Sequence, residues 1–294
     1  MDYYQHLREA FRALALNWQI VALKVAGAAL NCLLGAVVLA LTVLLALAAT
    51  GLGVLQAEPL EALRRLSEAG PLAVAIAAGG VFFYLALSLL VWLYVLSGCL
   101  GLLARALRQK GRVFTLGAFF QGAGRLFGPF LRYLALVGLL LLGAAVALLL
   151  TAVLGALTAG LLKALSPALG AALMLGLALL IALAWMVMLM GVSALGAFGT
   201  GLLSLGLSTG AKETLKTTLG LLRQNPRVAG GYLLSVLAYL LLTVVLATGG
   251  YLLGELTPAL VLPYELGVFV LQRFLTLVVI GGAFSALLKL SQEG

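Results

Sequence analysis

The sequence predicts an all-α membrane protein whose six transmembrane helices form three hairpins, each preceded by an amphipathic cytoplasmic elbow helix. Three observations carry that expectation. Of the 294 residues, 64% are hydrophobic and only 9% are charged, against about 25% charged in an average globular protein. The few charges stand in clusters, and the stretches between them are long enough to cross a bilayer. The clusters holding most of the Lys and Arg recur after every second stretch. This composition excludes a soluble fold, a disordered chain and a disulfide scaffold. A β-barrel would need strands of ~10 residues with alternating polarity, and the sequence has no such pattern.

An ionised side chain at mid-bilayer costs at least ~2.5 kcal/mol, so charges mark where spans end. Val25 to Ala57, Ala69 to Ala104, Tyr133 to Leu162, Ala164 to Ala211 and Val228 to Gly254 carry no charge. Each exceeds the ~20 residues that cross a hydrocarbon core of ~30 Å. A sixth span runs from about Val261 to Leu288, with Glu265 near its outer end and Arg273 within it. A continuous helix from Val25 to Ala57 would measure ~50 Å, so tilt or overhang must absorb the excess. The window from Ala164 to Ala211 reads as one helix from about Gly170 followed by a loosely packed cytoplasmic extension, because Gly196, Gly199, Gly201, Gly206 and Gly210 crowd its end.

Three segments carry apolar residues at helical spacing beside basic ones. Tyr3, Leu7, Phe11, Leu14 and Trp18 fall on one stripe, which predicts an interfacial helix. Leu116, Phe119, Phe120, Ala123 and Phe127 repeat the pattern before the third span, and Leu215, Leu219 and Leu222 before the fifth. The elbows break at Asn17 and Trp18, at Gly128 and Pro129, and at Asn225 and Pro226. Aligning these breaks divides a single membrane domain, 1–294, into units 1–105, 106–208 and 209–294 that share one orientation.

Basic residues set the orientation. With the N-terminus inside, fourteen Lys and Arg flank the spans on the cytoplasmic side and three, Arg64, Arg65 and Lys163, on the other, Arg273 being intramembrane. Both termini are therefore expected in the cytoplasm and the chain in a cell (plasma or inner) membrane. The opening MDYYQHLREAFRALALNW lacks a small-residue cleavage site, which predicts no removable signal peptide.

An N-terminal amphipathic helix with Phe11, Arg12, Asn17 and Trp18, then six long spans with basic elbows at Arg125 to Pro129 and Arg223 to Pro226, resembles a loose group of bacterial and archaeal six-helix integral membrane proteins. The group includes the membrane domain fused to some glycerophosphodiester phosphodiesterases. The resemblance covers most of the chain in layout. It implies a fold and lipid-linked work, and it carries no catalytic motif onto this sequence.

Catalysis within a membrane needs ionisable groups converging at one depth, and the inventory is thin. The only histidine, His6, reads as solvated or interfacial. Cys32 and Cys99 lie in the first two spans without metal-ligand spacing and read as packing residues. Glu58, Glu61, Arg64, Arg65 and Glu68 suit a short external helix with ion pairs. Gly124 with Gly128, Gly206 with Gly210, and Gly250 with Gly254 form GxxxG pairs, for which close helix packing is the default. The expectation is a protein that is not an enzyme and needs no metal or cofactor.

Two functional readings follow. In the first, the elbows engage anionic lipid through Arg105, Arg108, Lys110, Arg112, Arg125 and Arg132, and through Lys212, Lys216, Arg223 and Arg227, each worth ~1 kcal/mol near such a surface. The protein would then organise, sense or move lipids, with anionic lipids as partners and a protein partner or second copy possible, and no nucleic acid. In the second, it is a transporter or transporter subunit for a small or amphiphilic solute. Its path would lie near Arg273, with Gln272 and Asn31 in the lining and Glu265 close by. Arg273 admits a plainer reading too, snorkelling toward the outer headgroups with Glu265 two turns away.

Overall fold

The computed structural model describes residues 3–50 and 71–293, and all their regular structure is helical. In chain order the helices are α1 (Tyr3–Leu16), α2 (Gln19–Thr50), α3 (Pro71–Gln109), α4 (Leu116–Leu165), α5 (Pro167–Ser204), α6 (Ala211–Gln224), α7 (Pro226–Leu256) and, after a 3-10 turn at Pro258–Leu260, α8 (Val261–Glu293). Six of them, α2, α3, α4, α5, α7 and α8, are long and apolar enough to cross a membrane. The external helix expected around Glu58 to Glu68 lies outside the described residues.

Local chemistry sets the helix ends. Thr115 caps α4, its hydroxyl accepting from the Ala118 N–H at 3.1 Å, which satisfies one of the free donors of the first turn. Pro167 and Pro226 start α5 and α7, where a missing N–H costs nothing. Helix α5 ends on Gly206, whose φ of +67° suits glycine. The Gly206 N–H reaches the Leu203 carbonyl and the Leu207 N–H reaches Leu202, the paired bonds of a Schellman cap.

Three expectations change here. The segment from Leu116 to Phe127 is not a separate elbow but the start of the 50-residue α4, which runs through Pro129. Proline forfeits one backbone bond, but Phe130 and Tyr133 just beyond it are fully buried, and their packing holds the turn. The glycine-rich end of α5 is not loose: Ala197, Phe198, Gly199, Thr200, Gly201 and Leu202 are buried. Gly199 lies against the Tyr133 ring, and a Cβ on Gly201 would stand 2.6 Å from Leu287. The glycines remove side chains where helices cross. Of the three GxxxG pairs, Gly124 and Gly128 have no neighbour within reach of a Cβ, whereas Gly250 sits under Tyr264.

Helix α1 is the third correction. Its buried face is Tyr3, His6, Ala10, Ala13 and Leu14, while Phe11 is 52% and Trp18 63% exposed. The helix docks on α8 through small residues: a Cβ on Gly281 would lie 2.8 Å from the Ala10 Cβ, and one on Gly282 3.0 Å from the Tyr3 hydroxyl. His6 is therefore buried rather than solvated, with Nδ1 3.0 Å from the Ser285 hydroxyl, which itself donates to the Glu9 carboxylate. Burial, and after it the neighbouring Tyr232, pushes the Tyr3 hydroxyl far above its ordinary pKa, so it stays neutral. Gly281→Ala is expected to cost about 1–3 kcal/mol of stability, because two Cβ atoms have no flexible end to yield. Gly124→Ala, with open space around it, should cost little in the same thermal-unfolding measurement. Equal losses would show that α1 is not seated by this contact.

Asn17 fastens the joint between α1 and α2. It is fully buried, its amide donates to the carbonyls of Ala13 (2.9 Å) and Gly111 (3.0 Å), and its carbonyl oxygen accepts from the Val113 N–H at 2.8 Å. The α1–α2 corner is thereby tied to the α3–α4 connection.

Helix α2 packs along α3, α4 along α5 and α7 along α8, with α3 also on α4 and α5 on α8. Burial is uneven along these pairs. One cluster joins the starts of α2, α4 and α7 to the ends of α3, α5 and α8, from Ile20 and Leu93 to Phe130, Phe198, Tyr232 and Phe284. This end also carries α1, α6 and most of the basic residues. Toward the other end the side chains face outward, with Phe82 75% and Leu161 72% exposed. Such apolar surface belongs in lipid.

Candidate functional site

A cavity of about 460 Å³ opens beside the core, between α2, α3, α4, α5, α7 and α8. Helices α3, α5, α7 and α8 each supply a stripe at helical spacing, and α4 adds Leu134. Trp92, Leu96 and Leu100 come from α3, Ser193, Ala197 and Thr200 from α5, and Tyr232, Val236 and Tyr239 from α7. Arg273, Thr276 and Ile280 come from α8, and α2 contributes Lys24. The wall is mostly apolar, and its polar groups are two cations and a few hydroxyls.

Lys24 is only 8% exposed. It lies one turn after Ile20, which is fully buried, so residue spacing turns its side chain into the bundle. Arg273 is half-buried, its Nε is buried without a hydrogen-bond partner, and its guanidinium stands 4.8 Å over the Phe269 ring. Among the described residues neither cation has a carboxylate or a hydrogen-bond acceptor within bonding distance. The hydroxyls are mostly occupied. The Tyr232 hydroxyl is 2.9 Å from that of Ser193 and also donates to the Ser193 carbonyl at 3.1 Å, while the Thr276 hydroxyl donates to the Gln272 carbonyl at 2.7 Å.

A buried and a half-buried cation in one mostly apolar wall repel each other and draw an anion, since both the Coulomb attraction and the need for a partner grow as water is excluded. An apolar wall adjoining them suits a hydrocarbon tail. The cavity lining offers no nucleophile with its base, and no group of three or more metal-ligating side chains occurs among the described residues.

The chain matches no known family model, and neither a curated protein nor a solved structure is significantly similar to it.

Of the residues the sequence groups around Arg273, the structure brings none into the cavity with it. Asn31 donates to the Ser88 carbonyl at 3.3 Å, tying α2 to α3. Gln272 lies on another face of α8, and Glu265 is exposed and unpaired with Arg273. No ion pair joins Arg273 to Glu265 among the described residues. The partner of Arg273 in the site is Lys24, which charge counting assigns to the headgroup side. The signal in the sequence that points to Lys24 is its spacing from Ile20.

Most of the expected headgroup residues stay at the surface. Arg108, Lys110, Arg112, Arg125, Arg132, Lys212, Lys216, Arg223 and Arg227 are exposed and Arg105 is half-buried. Arg105 donates to the Gln121 side chain at 3.0 Å, and Arg108 donates to the Leu205 carbonyl at the end of α5.

Proposed function

We propose that this multi-pass membrane protein is non-enzymatic and takes an anionic amphiphile into the bundle, with the headgroup between Lys24 and Arg273 and the tail along the apolar wall. The observation that carries this reading is the pair of cations sharing a cavity without a counter-charge among the described residues. Fourteen basic residues at one end fit a cytoplasmic placement of that end in a cell membrane, where they would gather anionic lipid and keep it close to the cavity. Organising, sensing or moving such lipids is the role that follows. The likeness in layout to membrane proteins that include domains fused to glycerophosphodiester phosphodiesterases fits the same lipid-linked work.

A second reading, transport of a small amphiphilic solute, uses the same cavity. The mostly apolar wall favours an amphiphile over a hydrophilic solute. The test is retention of lipid by the full chain after extraction from bilayers of phosphatidylcholine with phosphatidylglycerol, read by native mass spectrometry. Wild type should hold one anionic lipid and Arg273→Gln roughly tenfold less, since a hydrogen bond to a charged group is worth ~1.5–3 kcal/mol. Equal retention by both proteins would count against the site. Flux into proteoliposomes that vanished in the same variant would select transport.

A further inference from the structure

At the basic end, one turn beyond the cavity along α3 and α5, three guanidiniums converge on a second and smaller pocket. Arg105 and Arg108 of α3, Arg125 of α4 and Ser204, the last residue of α5, line a space of about 90 Å³. Gly101 and Gly122 make the room. They face each other so closely that a Cβ on Gly101 would stand 3.4 Å from the Gly122 Cα.

None of the three arginines has a carboxylate within ion-pair distance among the described residues, and Arg125 donates to no protein group there. The Ser204 hydroxyl oxygen is buried with no hydrogen-bond partner, although a helical serine ordinarily bonds back to the carbonyl one turn earlier. Three like charges and an unused hydroxyl around one small space call for a ligand with several acceptor oxygens and more than one negative charge. Guanidinium forks match phosphate oxygens, singly or in pairs.

We propose that Arg105, Arg108, Arg125 and Ser204 bind a phosphate group, carried either by a lipid headgroup such as that of phosphatidic acid or by free inorganic phosphate. The pocket is too small for a hydrocarbon tail, so only the phosphate enters it. Its occupancy is independent of the Lys24–Arg273 cavity, and Lys24 and Arg273 variants should leave it unchanged.

The full chain in phosphatidylcholine nanodiscs is titrated calorimetrically with inorganic phosphate. In a second arm the Lys24→Met/Arg273→Met variant, whose larger cavity should no longer hold an anionic amphiphile, is placed in nanodiscs that also contain phosphatidic acid, and lipid retention is read by native mass spectrometry. Saturable binding of phosphate assigns the site to the free anion, and retention of phosphatidic acid alone assigns it to the headgroup. In whichever arm binds, Arg125→Gln should weaken the affinity at least tenfold, and Ser204→Ala, which keeps every charge, about threefold. The double variant Lys212→Gln/Lys216→Gln, at two exposed positions of α6, should stay within about twofold. Binding in neither arm overturns the proposal, as does a loss in the α6 variant equal to that in Arg125→Gln, which would mean diffuse attraction. Should Arg125→Gln fail to fold, Ser204→Ala decides alone, and unchanged affinity in that variant overturns the site.

Discussion

Replacing Lys24 and Arg273 together by Met should abolish retention of an anionic amphiphile and, in uncharged detergent, make the protein harder to unfold. The two effects have one cause. Each cation has been taken out of water, largely for Lys24 and partly for Arg273, without a protein counter-charge among the described residues. Burying a charge carries a penalty of several kcal/mol unless it is paired. Met keeps the length of the side chain and removes that penalty. Removing the guanidinium also ends its stacking over the Phe269 ring, which offsets about 0.5–2 kcal/mol and leaves a net gain of about 1–3 kcal/mol. Unfolding midpoints in maltoside and lipid retention from the same preparations check both parts. A variant that is less stable than wild type and still holds the lipid would remove the cavity from consideration.

The largest loss of stability is expected at Asn17. Asn17→Ala leaves the Val113 N–H and the Gly111 carbonyl without their partner at a joint where Asn17 itself is fully buried and both backbone groups are part-buried. An abandoned buried polar group costs about 1–3 kcal/mol, so the pair should cost about 2–4 kcal/mol. Asn225 is the control. Its amide donates to the Leu221 carbonyl of its own helix, and Asn225→Ala should cost less than about 1 kcal/mol in the same thermal-unfolding assay. Similar losses at both positions would refute the role of Asn17 as the fastening between the α1–α2 corner and the α3–α4 connection.

Six membrane-length helices are legible in the sequence because charge is too costly at mid-bilayer to be scattered: the five uncharged windows correspond to α2, α3, α4, α5 and α7, and the sixth span, which carries Glu265 and Arg273, to α8. The details that differ share a reason. In a membrane protein, lipid and protein interior are both apolar, so periodicity marks an apolar face without saying what covers it. Helix α1 illustrates this: its periodicity places Phe11 and Trp18 on one stripe with Tyr3 and Leu14, yet Ala10 and Ala13 decide which side meets α8, because small residues permit close approach. Gly199 and Gly201 suggest looseness only as long as Tyr133, Phe284 and Leu287, distant in sequence, are not known to fill their places. Lys24 counts toward topology under a rule that weighs position along the span and ignores the direction of the side chain. The cavity itself depends on six helices meeting, and no local pattern encodes that meeting.

The concentration of buried side chains at one end has a mechanical consequence. A bilayer that is thinner or thicker than the protein prefers must be accommodated by lean or bend in its helices, at fractions of a kcal/mol per Å. The interlocked end, from Phe130 to Phe284, has little freedom to give. The far halves of α4 and α5, which face outward except where they touch each other, would absorb the adjustment. Spin-label distances across those halves should follow lipid chain length, while distances among α1, α6 and the end of α8 hold steady.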